Sequence, residues 1–377
     1  MDFCVDLSSI QKALRILSSV ARQNTDEVVG QVLLDAKDTG DLVLLCNNGT
    51  LAVTHLVSGC SVKEPGALCV SYGKLNSFIA AFPPFEDGCG VQEVKFKGLK
   101  NDLSLSLENH FSADKKTAHK LKLKLYPIHK MSVPTPFKNT VLQLNSGTLR
   151  LAISKVIYAV NQNSIRNFLQ GVNVTFDDSF IYFAGTDAQM LSEYKTVNLG
   201  SLKTGSYTLP YNFVMALRKI IDADSEVYFD IENNSIKAVV NKTTLHGTLL
   251  VGEEFPNYSQ AFENYKDEII INKDVMLSSF VPFMNTLDSD DHNRLTIMIN
   301  DNKLVVKSEY AESEYSDNIE YDGNFIVDVN GSFLYQTLSA IMDDVLKMRF
   351  STDTSVLIFD SQQFENQKAL LTPIRRK

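Results

Sequence analysis

Long apolar runs are missing from this chain: nowhere in its 377 residues do about 18 apolar residues follow one another, the length a membrane-spanning helix needs. The N-terminus, with Asp2 and Asp6 among its first residues, is no secretory signal either, so a cytoplasmic protein is expected. Cysteine is sparse. Cys4, Cys46, Cys60, Cys69 and Cys89 are odd in number and show neither a C-x-x-C pair nor zinc-ligand spacing, which leaves reduced thiols in a core or on strands. Signatures of chemistry are absent as well: no G-x-x-x-x-G-K-[ST] phosphate loop, no G-x-S-x-G elbow, no H-E-x-x-H metal site, and the histidines are scattered. No catalytic residue, cofactor or metal is expected. One cluster stands against this, Asp288, Asp290, Asp291 and His292, which reads either as a divalent-metal site for nuclease work or as a solvated loop.

What is present is repetition. A short strand ending in Asp or Asn runs straight into an amphipathic helix at Asp6 (VDLSSIQKALRIL), at Asn145 (QLNSGTLRLAISKV) and at Asn272 (IINKDVMLSSFVPF). A Gly-led strand that becomes a second helix follows each time, from Gly66, Gly205 and Gly323. The intervals are each about one ordinary domain, so the chain reads as three copies of one α+β unit, a scaffold whose curvature is its function. With 44% hydrophobic and 21% charged residues, enough apolar side chain is available to give every copy a core.

Between the helices, Val28 to Leu34, Leu42 to Cys46, Val172 to Phe176, Phe180 to Ala184, Ile236 to Val240, Leu295 to Ile299 and Lys303 to Lys307 read as strands. Turns separate them at Asp38-Thr39-Gly40, Asn47-Asn48-Gly49, Asp177-Asp178, Asn233-Asn234 and Asn300-Asp301-Asn302. Each copy is therefore a helix, a meander, a second helix and a hairpin, with helices on one face of antiparallel sheet. Proline and glycine clusters at Pro127 to Pro136 and Gly252 to Tyr258 suggest linkers, giving domains 1–130, 131–252 and 253–377.

A formal net charge of −9 argues against nucleic acid as a partner, but its distribution argues the other way. On the first helix Lys12, Arg15 and Arg22, with Ser19, share one face of a 3.6-residue period, opposite Ile10, Leu14 and Leu17. No acidic residue occurs from Gln143 through Phe176, where Arg150 and Lys155 lie, and the companion helix adds Arg218 and Lys219. Acids gather elsewhere, at Glu263 to Glu268, Asp288 to Asp291 and Glu309 to Glu320. Basic helices on an acidic molecule suit a ring or cleft that admits DNA on one surface only; solvated helix faces are the alternative.

The strings L-Q-G-V at Leu169 to Val172, T-D-A-Q-M-L at Thr186 to Leu191, L-P-Y-N-F at Leu209 to Phe213, E-F-P-N-Y at Glu254 to Tyr258 and L-L-T-P-I-R at Leu370 to Arg375 resemble, in order, the bacterial DNA polymerase III beta subunits, the sliding clamps. The resemblance implies α+β domains in a head-to-tail homodimeric ring, helices lining the hole. The implied function is to encircle double-stranded DNA and tether the polymerase III alpha subunit, after placement by an ATP-driven clamp loader. A non-enzymatic scaffold that does not encircle DNA is the alternative. DNA-facing cations would be Lys12, Arg15, Arg22, Arg150, Lys155, Arg218 and Lys219.

The resemblance further implies a pocket for the clamp-binding peptides of other replication and repair proteins. One wall would be Thr186, Ala188, Gln189, Met190 and Leu191, where the family commonly has Thr-Asp-Gly-His-Arg-Leu. The others would be Leu169, Pro210, Val214 and Met215, and the C-terminal Leu370, Leu371, Pro373, Ile374 and Arg375. Gln189 and Met190 replace titratable or basic side chains and are expected to favour apolar contact, with Met190→Arg as the probe. Arg376 and Lys377 extend the tail, either as a basic rim or as a frayed end. For the subunit contact the resemblance points to an edge strand at Leu121 to Tyr126, with Leu121 and Leu123 on one face and lysines on the other, and to Phe283 and Met284 near the first helix of the third copy.

Overall fold

The computed structural model describes residues 1–21, 30–87, 89–112, 115–128, 135–199, 204–222, 224–263, 265–315, 319–351, 356–363 and 366–374. Six helices occur among them: α1 (Leu7–Leu17), α2 (Tyr72–Ile79), α3 (Ser146–Val156), α4 (Tyr211–Ile220), α5 (Lys273–Phe280) and α6 (Gly331–Ala340). The strand-to-helix junctions have a physical cause. Asp6 accepts from Ser9 N, Asn272 from Asp274 N and Val275 N, and Asn330 from Ser332 N and Phe333 N, so these side chains satisfy amide groups the first helical turn leaves unpaired. On α1, Ile10, Leu14 and Leu17 are fully buried, whereas Lys12 and Arg15 are exposed. The helix stops at Leu17, one turn short of the periodicity: Ser18 N bonds back to Leu14 O, Ser19 lies in the turn beyond, and Arg22 lies outside the described residues.

One pairing rule holds in all three copies. The strand entering a copy's first helix joins the three strands after its second helix: Asp2–Asp6 with Glu93–Gly98, Asp102–Ser112 and Lys115–Lys124, and in this copy also with the short strand Ser61–Glu64 on its other side; Leu142–Asn145 with Glu226–Glu232, Ser235–Val240 and Thr243–Thr248; Asp267–Asn272 with Val345–Phe350, Leu357–Ser361 and Gln367–Leu371. Strands between the two helices form a second set of four: Gly66–Ser71, Gln31–Ala36, Asp41–Asn47 and Ala52–Ser58; Gly205–Pro210, Gly171–Phe176, Phe180–Thr186 and Met190–Val197; Phe325–Asn330, Arg294–Asn300, Lys303–Lys307 and Glu312–Tyr315. Strand ends differ from the sequence reading by a residue or two; of the strand read from Val28, Val28 and Val29 lie outside the described residues, and the strand runs Gln31–Ala36.

These sets fuse across copies. Ala52–Ser58 pairs with Thr243–Thr248, and Met190–Val197 pairs with Gln367–Leu371, making two eight-stranded antiparallel sheets. Compactness follows the fused sheets, so the middle copy is shared out: one unit holds Met1–Ser146 with Met215–Leu249, the other Gly147–Val214 with Leu250–Lys377. Two edges of equivalent position have no partner strand among the described residues, Lys115–Lys124 in a five-stranded sheet and Glu312–Tyr315 in a four-stranded one.

The fused sheet of the first unit carries a titratable side chain at its seam. His55 and Thr243 face each other in register, Nδ1 lies 2.8 Å from Thr243 Oγ1, and the ring is 9% exposed. Burial first, then the ammonium groups of Lys12 and Lys242, lowers its pKa to about 4. The unfolded chain therefore takes up a proton first as the pH falls. Stability is full above the unfolded value of about 6.5 and is lost toward pH 4, by a total of about 3 kcal/mol. Urea denaturation at neutral pH and near pH 4.5 is expected to show this loss in the wild type, and His55→Gln to remove most of the His55 share.

Candidate functional site

The segment Thr186 to Leu191 closes a hairpin held from three sides. Asp187 Oδ1 accepts from Gln189 N at 2.8 Å and Met190 N at 2.6 Å, and Thr186 Oγ1 donates to Met190 O at 2.6 Å. Thr372 N donates to Gln189 O at 2.9 Å, which ties the C-terminal segment to the turn. Ala188 has φ 75°, the left-handed region where a Cβ is strained. Ala188→Gly is expected to stabilise the second unit by up to about 1 kcal/mol, read as a higher melting temperature.

Alternation along the strand divides the predicted wall. Met190 and its ladder partner Leu371 are 3% and 0% exposed and belong to the core beneath the sheet, with Phe280, Phe283 and Phe359. This corrects the expectation for Met190: its side chain is not on a peptide-facing surface, and Met190→Arg would test core packing instead. Leu191 and Leu370 project from the opposite face and pack with Ile358 and Phe262, against Tyr258 and Ala261. The last four residues were missed. The E-F-P-N-Y string reads as a linker and as part of the family resemblance but has no place in the expected pocket, yet its continuation, the turn Ser259–Phe262, covers the apolar row.

Leu169 is buried at the end of a short 3-10 turn, Val214 is buried within α4, Pro210 pairs with Gly171 at a strand end, and Met215 is half-buried. Pro373 and Ile374 are half-buried, and Ile374 N donates to Asp328 O at 2.7 Å. Arg375, Arg376 and Lys377 lie outside the described residues.

The basic helix faces differ in what occupies them. Arg15, Arg218 and Lys219 are exposed, the last two in the final turn of α4, where cations complement the helix dipole. Arg150 is exposed on α3. Lys12 Nζ pairs with Asp222 at 3.2 Å with both side chains more than half exposed, a contact worth little and easily exchanged. Lys155 is held elsewhere: Nζ donates to Ala340 O at 2.7 Å at the end of α6, and burial, then Lys273, lowers its pKa.

At the open edge Lys115–Lys124, Leu123 is buried and Leu121 half-buried, whereas Lys120, Lys122 and Lys124 are exposed; the strand ends at Lys124, before Tyr126. Phe283 and Met284 sit in the 3-10 turn Val281–Thr286 after α5, Phe283 in the core and Met284 against it. In the acidic loop, Arg294 is bonded to both oxygens of Asp291 and to Asp328, and Asp288 Oδ1 accepts from Asp290 N. Among the described residues no group of three or more His, Cys, Asp or Glu side chains could hold a metal ion. No helix among them is long and apolar enough to cross a membrane.

Residues 143–257 match the family described as DNA polymerase III beta subunit, central domain. Over 390 residues, 98% of each chain, the sequence is 22% identical to the beta sliding clamp of Rickettsia bellii. The fold matches the crystal structure of the DNA polymerase III subunit beta from Pseudomonas aeruginosa over 100% of both chains, with a TM-score of 0.88 at 18% identity. A sliding clamp of the same organism bound to griselimycin matches with a TM-score of 0.85, again at 18% identity and over 100% of both chains. Residues 143–257 thus match the central domain of the DNA polymerase III beta subunit, and the whole chain is similar end to end, in sequence and in fold, to beta sliding clamps.

Proposed function

We propose that this protein is a DNA sliding clamp: a homodimeric ring of three clamp domains per subunit that encircles duplex DNA, tethers a replicative polymerase and receives partner proteins through short peptides. It acts as a cytoplasmic accessory protein, not as an enzyme. The observation that carries this reading is the pair of unmatched edges. Two seams of one kind are made inside the chain, and the two strands that would make a third, Lys115–Lys124 and Glu312–Tyr315, are left open. Lysines mark one edge, and Glu312 and Glu314 the other. Unlike surfaces at two ends favour a heterologous contact that closes when two copies meet.

Loose phosphate contacts suit a ring that slides, so Arg15, Arg150, Arg218 and Lys219 are assigned to DNA proximity, with Lys12 once it exchanges Asp222 for phosphate. Light scattering tests closure: a mass near twice 42.1 kDa is expected into the nanomolar range. Lys120→Glu with Lys122→Glu and Lys124→Glu is expected to give monomers, and mixing with a Glu312→Lys, Glu314→Lys chain to restore association. A wild-type monomer throughout, or triple-variant dimers of unchanged strength, sinks this closure.

A further inference from the structure

The two seams inside the chain share one register. Followed along the strand ladders from Ser71, Pro210 and Asn330, which precede the second helices, Thr54, Glu193 and Glu312 occupy the same place in the three copies. Followed from Asp6, Asn145 and Asn272, which precede the first helices, so do Lys120, Thr244 and Lys368. Thr54 faces Thr244 in one seam, and Glu193 faces Lys368 in the other. A backbone bond recurs with them, again at equivalent places: Leu56 N donates to Lys242 O at 3.0 Å, and Lys195 N to Asn366 O at 2.7 Å.

The open edges carry what that register requires. It sets Glu312 of one copy opposite Lys120 of another, the same pair of charges as Glu193 and Lys368. Both side chains are exposed, and among the described residues neither has an ion pair within its own chain. Next to them Ala311 meets Leu121. The counterparts of that pair, Val53 with Leu245 and Ser192 with Ala369, are all 0% exposed within the finished seams, whereas Ala311 and Leu121 are left half-buried, so pairing would complete an unfinished core. Ser313 meets His119 as Thr243 meets His55, with hydroxyl and imidazole on exchanged strands. Glu314 is paired with Lys303 at 3.1 Å, both side chains more than half exposed, a contact easily exchanged.

We propose that two copies of this chain join in this same register: antiparallel, with Glu312 opposite Lys120, Ser313 opposite His119, Ala311 opposite Leu121, and Glu314 N donating to Ala118 O of the second copy. The inference rests on the reading that the open edges close a ring. A slip of one residue would turn Ala311 and Leu121 to the charged face. Charge alone would accept a slip of two, which sets Glu312 and Glu314 opposite Lys122 and Lys120; the repeated register decides between them.

Disulfide trapping reads the register. In a Cys89→Ser background, which removes the exposed thiol, His119→Cys with Ser313→Cys and Leu121→Cys with Ala311→Cys place sulfurs on directly facing residues, about 4.5–5.5 Å apart at Cβ. Exchanging partners, His119→Cys with Ala311→Cys and Leu121→Cys with Ser313→Cys, puts the same four substitutions on diagonals of about 7–8 Å, too long for a disulfide. Under mild oxidant the facing pairs are expected to give covalent dimer at least roughly tenfold faster than the exchanged pairs. Faster trapping by Leu121→Cys with Ser313→Cys, the pair a slip of two brings together, or by the other exchanged pair, overturns the register and leaves the ring. No trapping by any of the four, in protein whose light-scattering mass is that of a dimer, overturns it by moving the contact off these edges. A monomeric mass throughout overturns the closure itself.

Discussion

Asp230→Ala is expected to lower the stability of the first unit by about 3–5 kcal/mol, among the largest losses available from one side chain in this protein. Lys237 and Asp230 are 2% and 3% exposed, and Nζ lies 3.3 Å from Asp230 Oδ2. The pair is fully used. Lys237 Nζ also donates to Pro136 O at 2.9 Å, and Asp230 Oδ2 accepts from Lys138 N at 2.8 Å, so the two charges pin residues 136–138 ahead of strand Leu142–Asn145 onto strands of the fused sheet. Removing the carboxylate leaves an ammonium group without its counter-charge in a low-dielectric site and frees that segment. Lys237→Met in the same background should recover part of the loss, because no unpaired charge is then buried, although Pro136 O and Lys138 N still lack their partners. Urea titrations of both single variants and the double variant give the coupling directly. A cost under about 1 kcal/mol for Asp230→Ala would mean the pair is solvated in solution.

Much of the fold was legible because its punctuation is local. Asp6 and Asn272 announce helices by a mechanism that acts within three residues, and the turn at Asn300-Asp301-Asn302 takes the positive φ values such residues tolerate. The seams were not legible. His55 meets Thr243 and Met190 meets Leu371 across most of a domain or more of sequence, and neither strand differs locally from one whose partner is its neighbour. For the candidate site, the turn Thr186 to Leu191 and the C-terminal Leu370 were named from family strings, but a family string carries no face. A period of two would have sent Met190 and Leu191 to opposite sides of the sheet from sequence alone. Phe262 left no such trace: it matters through a neighbour supplied by a distant strand, Leu370.

Cutting a circular duplex is expected to release this protein from it, whereas raising the salt on the intact circle is not. Encirclement and affinity make opposite demands on the same cations. A free subunit or dimer meeting linear DNA has only the exchangeable contacts of residues such as Arg15 and Arg218, so its equilibrium binding should be weak. That binding should fall with salt at about 0.9 logarithmic units per phosphate neutralised. A ring placed on a nicked circle by an ATP-driven loader leaves only if an edge opens, and hydrogen-bonded strands at the Lys115–Lys124 edge are not screened as phosphate contacts are. Retention after gel filtration should therefore survive a rise from about 50 to 200 mM salt and fall at least tenfold, roughly, once a restriction enzyme gives the DNA ends. Arg15→Glu with Arg218→Glu should weaken linear binding without shortening life on the circle, while reversing the edge lysines should abolish retention on both. Equal retention before and after the cut would leave the fold standing and remove the ring from the mechanism.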